Sequence, residues 1–223
     1  MKIAVDAMGG DHAPGVVVDG VVQAVRELDI DIILVGQEER IRAELARYDT
    51  VGLPLSVLHA SQVIDMDEHN PAAAAKAKKD SSLVVGMDLV KRGEADAFFT
   101  AGHSGGALAA ALLRLGRIKG IKRPALSTVF PSQTPQGHCF LLDIGANVDC
   151  KEEYLLQFAI MGSVYAERVL DVSNPRVAIV SNGEEEGKGN ELVQKTTPLL
   201  RASKLNFVGN AEGKDIIRGI ADV

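Results

Sequence analysis

At 223 residues the chain is long enough for one large α/β domain or two small ones. Hydrophobic residues make up 46% and aromatics only 4%, so the core falls to Val, Ile, Leu and Ala, a composition suited to buried parallel strands under helices. The 30 acidic and 24 basic residues leave a formal charge of -6, which argues against a nucleic-acid-binding surface covering the whole molecule.

Met1–Val5 is cut short by Asp6, too soon for the apolar region of a signal peptide, and no apolar run approaches a membrane span. A soluble, cytoplasmic protein is expected. Short apolar runs then recur, each ending in a Gly-, Asn- or Asp-rich loop and followed by a helical pattern. Ile3–Val5 leads through Asp6-Ala7-Met8-Gly9-Gly10-Asp11-His12 to a helix over 14–28. A strand over 31–35 ends at Gly36 and precedes a charged helix over 38–48, with a third strand at 55–58. Asn70-Pro71 is a helix start, Asn capping and Pro in the first turn; the helical stretch runs to Arg92, with a break near Asp80-Ser81-Ser82.

A strand at 97–100 feeds Ala101-Gly102-His103-Ser104-Gly105-Gly106 and a small-residue helix over 107–115. Strands at 126–130 and 139–142 are joined by a loop too short for a crossover helix, so they are expected to pair antiparallel. Asp143-Ile144-Gly145-Ala146-Asn147 closes the second, and an amphipathic helix spans 152–170. Val177–Val180 is followed by a polar loop, Ser181 to Asn190, with three adjacent carboxylates, three glycines and Lys188. A helix over 190–202, a strand at 205–208 and the loop Gly209–Gly213 complete the pattern.

This alternation reads as one α/β/α domain, 1–223, with a mostly parallel sheet, and residue 124 is where a second lobe could begin. Arg218–Val223 repeats the helix-to-strand pattern of Arg92–Ala97. A strand is therefore expected to start at Val223, and the chain is expected to be C-terminally truncated.

Three loops carry candidate chemistry. Gly102 to Gly106 resembles a phosphate cradle: glycines admit an anion to backbone N–H groups, Ser104 adds a hydroxyl, and a helix N-terminus follows. A structural turn explains it about as well, and it is neither a Walker motif nor a dinucleotide fingerprint. His12 could serve as general acid or base, although a loop histidine is more often a surface residue. Lys188, flanked by Gly187 and Gly189, can reach into a cleft or simply balance Glu184 to Glu186. The five histidines show no metal-ligand spacing, so no metal is expected; Cys139 and Cys150 show none either and are expected reduced. From Ala97 to Leu142 the chain has no acidic residue, and Arg114, Arg117, Lys119, Lys122 and Arg123 form a basic cluster within it.

Taken together, AVDAMGGDHAP (Ala4 to Pro14), TAGHSGG (Thr100 to Gly106), LLDIGANVDCK (Leu141 to Lys151), SNGEEEGKGNE (Ser181 to Glu191) and NFVGNAEGKDI (Asn206 to Ile216) resemble the bacterial phosphate acyltransferase family of fatty acid/phospholipid synthesis. The resemblance covers the whole chain with its motifs in consistent order; it departs at His103-Ser104, where the family commonly has Asn-Thr. It implies a three-layer sandwich similar to phosphotransacetylases and isocitrate/isopropylmalate dehydrogenases. It also implies transfer of a long-chain acyl group from acyl carrier protein to inorganic phosphate, without a cofactor. The product would feed a membrane-bound glycerol-phosphate acyltransferase, and the enzyme would be a homodimer associated peripherally with the membrane.

That chemistry needs anion binding, oxyanion stabilisation and a proton for the departing thiolate. Gly102, His103, Ser104, Gly105, Gly106 and Asn147 are expected to cradle phosphate and thioester. Lys188 is expected to stabilise developing charge, Asn182 to orient the substrate and His12 to supply a proton. The basic cluster is expected to dock the acidic carrier. The rival readings are a short-chain phosphotransacylase using acyl-coenzyme A, a nicotinamide-dependent dehydrogenase, and a non-catalytic carrier- or membrane-binding module.

Overall fold

The computed structural model describes residues 1–145, 147 and 149–223, and the chain divides into two units, Met1–Gly116 and Arg117–Val223. In the first unit, apolar runs form four parallel strands: β1 (Lys2–Asp6), β2 (Asp31–Gly36), β3 (Leu55–His59) and β4 (Ala97–Phe99), in the order β3-β2-β1-β4. Side chains alternate between the two faces of a strand. Val5 accordingly packs with Val18, Val22 and Val25 of α1 (Gly15–Glu27) and Ile41 of α2 (Glu38–Leu45), while Ala4 joins Val35 and Leu89 on the opposite face. Leu89 belongs to α4 (Ser82–Lys91), which with α3 (Pro71–Ala77) and α5 (Ser104–Arg114) buries Leu83, Val84, Met87 and Ala110. The result is a helix–sheet–helix sandwich.

Strand order sets the site. The chain moves outward from β1 through β2 to β3, then crosses to β4 on the other side of β1. The order therefore reverses between β1 and β4, and in open α/β sheets the crevice at such a switch point, beyond the strand carboxyl ends, is where ligands bind. The helical stretch after Asn70 does break, because Ser81 starts a second helix: its side chain accepts from Val84 N–H while Asn70 caps α3 through Ala73 N–H.

The second unit holds the antiparallel pair β5 (Ser127–Pro131) and β6 (His138–Leu142), and the parallel pair β7 (Arg176–Val180) and β8 (Asn206–Ala211). The antiparallel expectation is met. α6 (Glu152–Val169) packs on β6 and β7, α7 (Glu191–Ala202) on β8, and the short α8 (Gly213–Arg218) follows β8. One boundary differs from expectation: Gly209–Ala211, read as loop, continues β8. The strand passes through a bulge opposite Val177/Ala178, and Gly209 supplies the positive φ of 109° there.

Residues 222–223 are bonded in strand fashion between β6 and β7. Phe140 N–H donates to the Asp222 carbonyl at 2.8 Å, Val223 N–H to the Arg176 carbonyl at 3.0 Å, and Ala178 N–H to the Val223 carbonyl at 2.9 Å. Next to this segment an apolar cavity of about 280 Å³ is lined by residues including Phe140, Leu142, Phe158, Val177 and Ile179. Among the described residues no helix is long and apolar enough to cross a membrane.

Candidate functional site

In the first unit, the loops after β1 and β4 meet at the switch point. Asp6, at the end of β1, is 1% exposed, and its carboxylate accepts from the Thr100 hydroxyl at 2.8 Å and from Met8 N–H at 3.0 Å. A buried carboxylate requires such partners, because desolvating it unpaired is costly. The two loops touch backbone to backbone. A Cβ on Gly9 would lie 2.5 Å from Asp6 Oδ2 and 2.9 Å from Gly102 N, so only glycine fits there.

The expected cradle, Gly102 to Gly106, opens α5, but the protein itself occupies much of it. Gly102 N–H donates to Thr100 Oγ1 at 2.9 Å. His103 caps the helix: its Nδ1 accepts from Gly106 N–H at 3.3 Å, and its Nε2 lies 3.1 Å from the Glu68 carbonyl. That pair of contacts assigns the neutral tautomer with hydrogen on Nε2 and leaves the ring no free polar atom. What remains for an anion is the His103, Ser104 and Gly105 N–H groups and the exposed Ser104 hydroxyl, at the positive end of an 11-residue helix. His12 is exposed in the turn, 11–14, that precedes α1.

The second unit presents the loop after β7. Lys188 and Asn182 are both exposed. The loop is held in shape by its own polar groups: Asn182 Oδ1 accepts from Gly189 N–H at 3.0 Å, and Asn190 caps α7 through Val193 N–H at 3.0 Å. Asn210, on the part of β8 that sequence reading assigned to a loop, donates to the Glu185 and Lys188 carbonyls at 3.0 and 3.3 Å. A Cβ on Gly183 would come within 2.7 Å of Lys188 Cγ, so glycine there leaves room for the lysine stem.

Two of the three carboxylates that would repel one another, Glu184 and Glu186, have countercharges from other elements. Lys214 lies 3.3 Å from Glu184 and 2.6 Å from Glu212, and Arg201 lies 2.9 Å from Glu186. The hydrogen bonds to Glu212 and Glu184 raise the Lys214 pKa. Lys188 makes no ion pair among the described residues, so its ammonium is the uncommitted cation of this loop.

Asn147 is anchored: its Nδ2 donates to Asp143 Oδ1 at 2.9 Å and to the Pro124 carbonyl at 3.2 Å, leaving only its carbonyl oxygen for a ligand. Ala146 and Val148, part of the same expected loop motif, lie outside the described residues. Cys150 donates to Asp143 Oδ2 at 3.1 Å. Burial, with that hydrogen bond and charge added, pushes its pKa up to about 11, and burial pushes Cys139 up to about 11. Both thiols are free, and both are held in the un-nucleophilic protonated form at neutral pH.

The basic cluster is less one-signed than the sequence suggested. Arg114 forms a two-point ion pair with Asp88, at 2.6 and 2.5 Å, and Lys122 pairs with Glu153. Arg117 donates to the Lys122 carbonyl, and Arg123 sits 5.9 Å from the Tyr154 ring centroid. The partner acids lie outside the acid-free stretch, so a linear count does not find them. Sequence reasoning also passed over Asp6, Thr100 and Asn210 as site residues. The signal was available only for the first, a carboxylate at a strand's carboxyl end.

A family model described as "Fatty acid synthesis protein" matches residues 1–223. A phosphate acyltransferase of Dictyoglomus turgidum is 52% identical over 224 residues, spanning 100% of this chain and 66% of its own length. One from Desulfitobacterium hafniense (strain DSM 10664 / DCB-2) is 54% identical over 221 residues, spanning 99% of this chain and 65% of its own. The chain thus spans about two thirds of the length of the curated relatives it matches. Among solved structures, a phosphotransacetylase from Streptococcus pyogenes superimposes with a TM-score of 0.68 at 19% identity, covering 100% of this chain and 75% of that one. A branched-chain phosphotransacylase from Enterococcus faecalis V583 gives 0.62 at 16% identity, covering 96% and 69%. At such identities the likeness establishes a shared fold.

Proposed function

The chain belongs to the fatty acid synthesis protein family, and from that premise we propose that it transfers an acyl group from a thioester to inorganic phosphate, yielding acyl phosphate. The observation that carries this reading is the match along this whole chain, at about half identity, to relatives named phosphate acyltransferase. The switch-point loops of the first unit support it, since they present helix N–H groups where an oxyanion is favoured.

In this reading a phosphate oxygen attacks the thioester carbonyl carbon, the C–O bond forms, the tetrahedral oxyanion collapses and the C–S bond breaks. The thiolate leaves and takes up a proton. No covalent enzyme intermediate is needed, because a positioned phosphate is itself the nucleophile; the high pKa of both cysteines accords with that. The roles follow unit by unit. In the first, the Ser104 and Gly105 amides with the Ser104 hydroxyl bind phosphate, His103 holds the helix end that offers them, and His12 supplies the proton. In the second, Lys188 stabilises developing charge, Asn182 orients substrate through its free amide, and Asn147 offers its carbonyl oxygen.

The finer assignment is a long-chain acyl group carried by acyl carrier protein, with the product passed to a membrane glycerol-phosphate acyltransferase for phospholipid synthesis. With it go a homodimer, peripheral membrane association and cytoplasmic location. Hydroxylamine trapping tests the reaction: acyl hydroxamate should accumulate from acyl carrier protein thioester and phosphate, and more slowly from acyl-coenzyme A. A reversed preference would favour the phosphotransacylase alternative, and carrier binding without turnover would leave a non-catalytic module.

Carrier docking is assigned to the basic cluster, and chiefly to Arg117, Lys119 and Arg123, since Arg114 and Lys122 already face Asp88 and Glu153. Charge reversal at Lys119 and Arg123 should weaken carrier binding, and the deficit should shrink as salt rises past the range where the Debye length falls below about 10 Å. Equal binding by wild type and variant at low salt would remove the cluster from docking.

A further inference from the structure

Thr100 and Asp6 stand 94 positions apart and meet only because β1 and β4 are neighbours at the switch point. Their contact is directional. The Thr100 hydroxyl spends its single proton on Asp6 Oδ2 at 2.8 Å, so its oxygen is left as an acceptor, and it receives Gly102 N–H at 2.9 Å. We propose that Asp6 and Thr100 are positioning residues of the anion site, forming a carboxylate–hydroxyl–amide relay. The relay turns the Gly102 amide inward and leaves the His103, Ser104 and Gly105 amides to face the phosphate. This inference rests on the acyl-to-phosphate reading above.

Packing makes the relay rigid. A Cβ on Gly9 would fall 2.5 Å from Asp6 Oδ2, 2.7 Å from Thr100 Oγ1 and 2.9 Å from Gly102 N, and one on Gly102 would fall 2.9 Å from Gly9 Cα. Gly10, at φ 105°, brings its own Cβ direction within 3.2 Å of the Ala101 carbonyl. The β1 loop is therefore clamped over the relay. At the far end of the same turn His103 Nδ1 holds Gly106 N–H. Residues 103–105 are thus bracketed by two amides the protein has already claimed, and the place left for an anion is pre-set.

Electrostatics explains why the inner amide is claimed. An anion drawn to Gly102 N–H would approach within one hydroxyl of the buried Asp6 carboxylate, in a half-buried setting where like charges are less screened than in water. Occupying that amide from within keeps the phosphate further out, over the helix N-terminus. Asp6 does not touch substrate in this account; it acts through Thr100.

Thr100→Val, which keeps the side-chain shape and removes the hydroxyl, tests the relay, with Thr100→Ser as the conservative rescue and Thr100→Ala in reserve should the Val protein not fold. In ligand-free protein, the Gly102 amide should exchange with solvent about tenfold faster in the Val variant and at the wild-type rate in the Ser variant. The KM for phosphate should rise about tenfold in the Val variant with kcat changed far less, and Ser should restore it. Unchanged Gly102 exchange in the Val variant overturns the relay whatever the kinetics show. Faster exchange with an unaltered KM for phosphate overturns the positioning role. Wild-type protein that forms no acyl phosphate would sink the reaction reading and the positioning role with it, while the exchange comparison still decides the relay.

Discussion

Lys188→Ala is expected to lower acyl-phosphate formation about tenfold or more, a loss of at least about 1.4 kcal/mol of transition-state stabilisation. The expectation comes from how charge is distributed in the Ser181–Asn190 loop. Glu184 and Glu186 are paired with Lys214 and Arg201, whereas Lys188 is exposed and makes no ion pair among the described residues. Its backbone is fixed by Asn210 and by the hydrogen bond from its own N–H to the Glu185 carbonyl at 3.0 Å. A cation on an ordered loop, with an unspent ammonium, is placed to meet negative charge as it develops. Because the side chain holds nothing else together, the substitution should shift unfolding free energy by no more than about 0.5 kcal/mol. Steady-state rates by hydroxamate formation and a urea titration of the same preparation separate the two effects. Full activity in the variant would take Lys188 out of the mechanism; a parallel fall in stability would make its role architectural.

Asp222→Ala should cost about 3 kcal/mol of stability, the lower end of what removing one member of a buried ion pair costs. Asp222 has a side chain only 7% exposed, and it receives Arg176 three times: from the backbone N–H at 2.8 Å, from Nε at 3.0 Å and from the terminal guanidinium nitrogen at 2.9 Å. Arg176 is about one-third exposed, and water reaching its guanidinium keeps the figure from the upper end of the range. The position matters because Asp222 also accepts Phe140 N–H through its backbone, so the residue ties β6 to β7.

The sign of the pH effect follows from the ionisation of Asp222. Burial alone would raise its pKa, but the hydrogen bonds from the Arg176 side chain and backbone, with the guanidinium charge, outweigh it and hold the carboxyl below the usual value. A depressed folded-state pKa contributes stability above the unfolded value, and that contribution is lost as pH falls through the folded one. The stability gap between wild type and Asp222→Asn should therefore be constant from pH 7 down to about pH 4 and close below it. A gap that widened on acidification would contradict the ion pair as its origin.

Much of this architecture is legible in the residues. Valine- and isoleucine-rich runs of four to six residues, each ending in Gly, Asn or Asp and followed by a helical pattern, specify parallel strands and crossover helices. The short Pro/Gln/Gly connection between β5 and β6 specifies an antiparallel pair, since no crossover fits in it. Gly209 misleads, because a glycine in an apolar run signals a turn and a bulge equally well. Here it is the bulge, and Asn210 beyond it braces the Lys188 loop. The basic cluster misleads for another reason: Asp88 and Glu153 lie 26 and 31 positions from the arginine and lysine they neutralise.

The loop chemistry divides along the same line. By itself the sequence determined which loops end which strands, that they are rich in glycine and small polar groups, and that one carries Lys188 among carboxylates. These are properties of short windows, set by side-chain alternation and turn preference. Which donors stay free was decided by the tertiary structure. Gly102 and Gly106 look equivalent to Ser104 and Gly105 in a linear reading, yet Thr100 and His103 claim the first two amides and leave the others open. The Gly106 amide is taken locally, by the histidine three positions before it, but the Thr100 hydroxyl that claims Gly102 is oriented by Asp6, and the pairing of Asp6 with Thr100 exists only once β4 has crossed to lie beside β1.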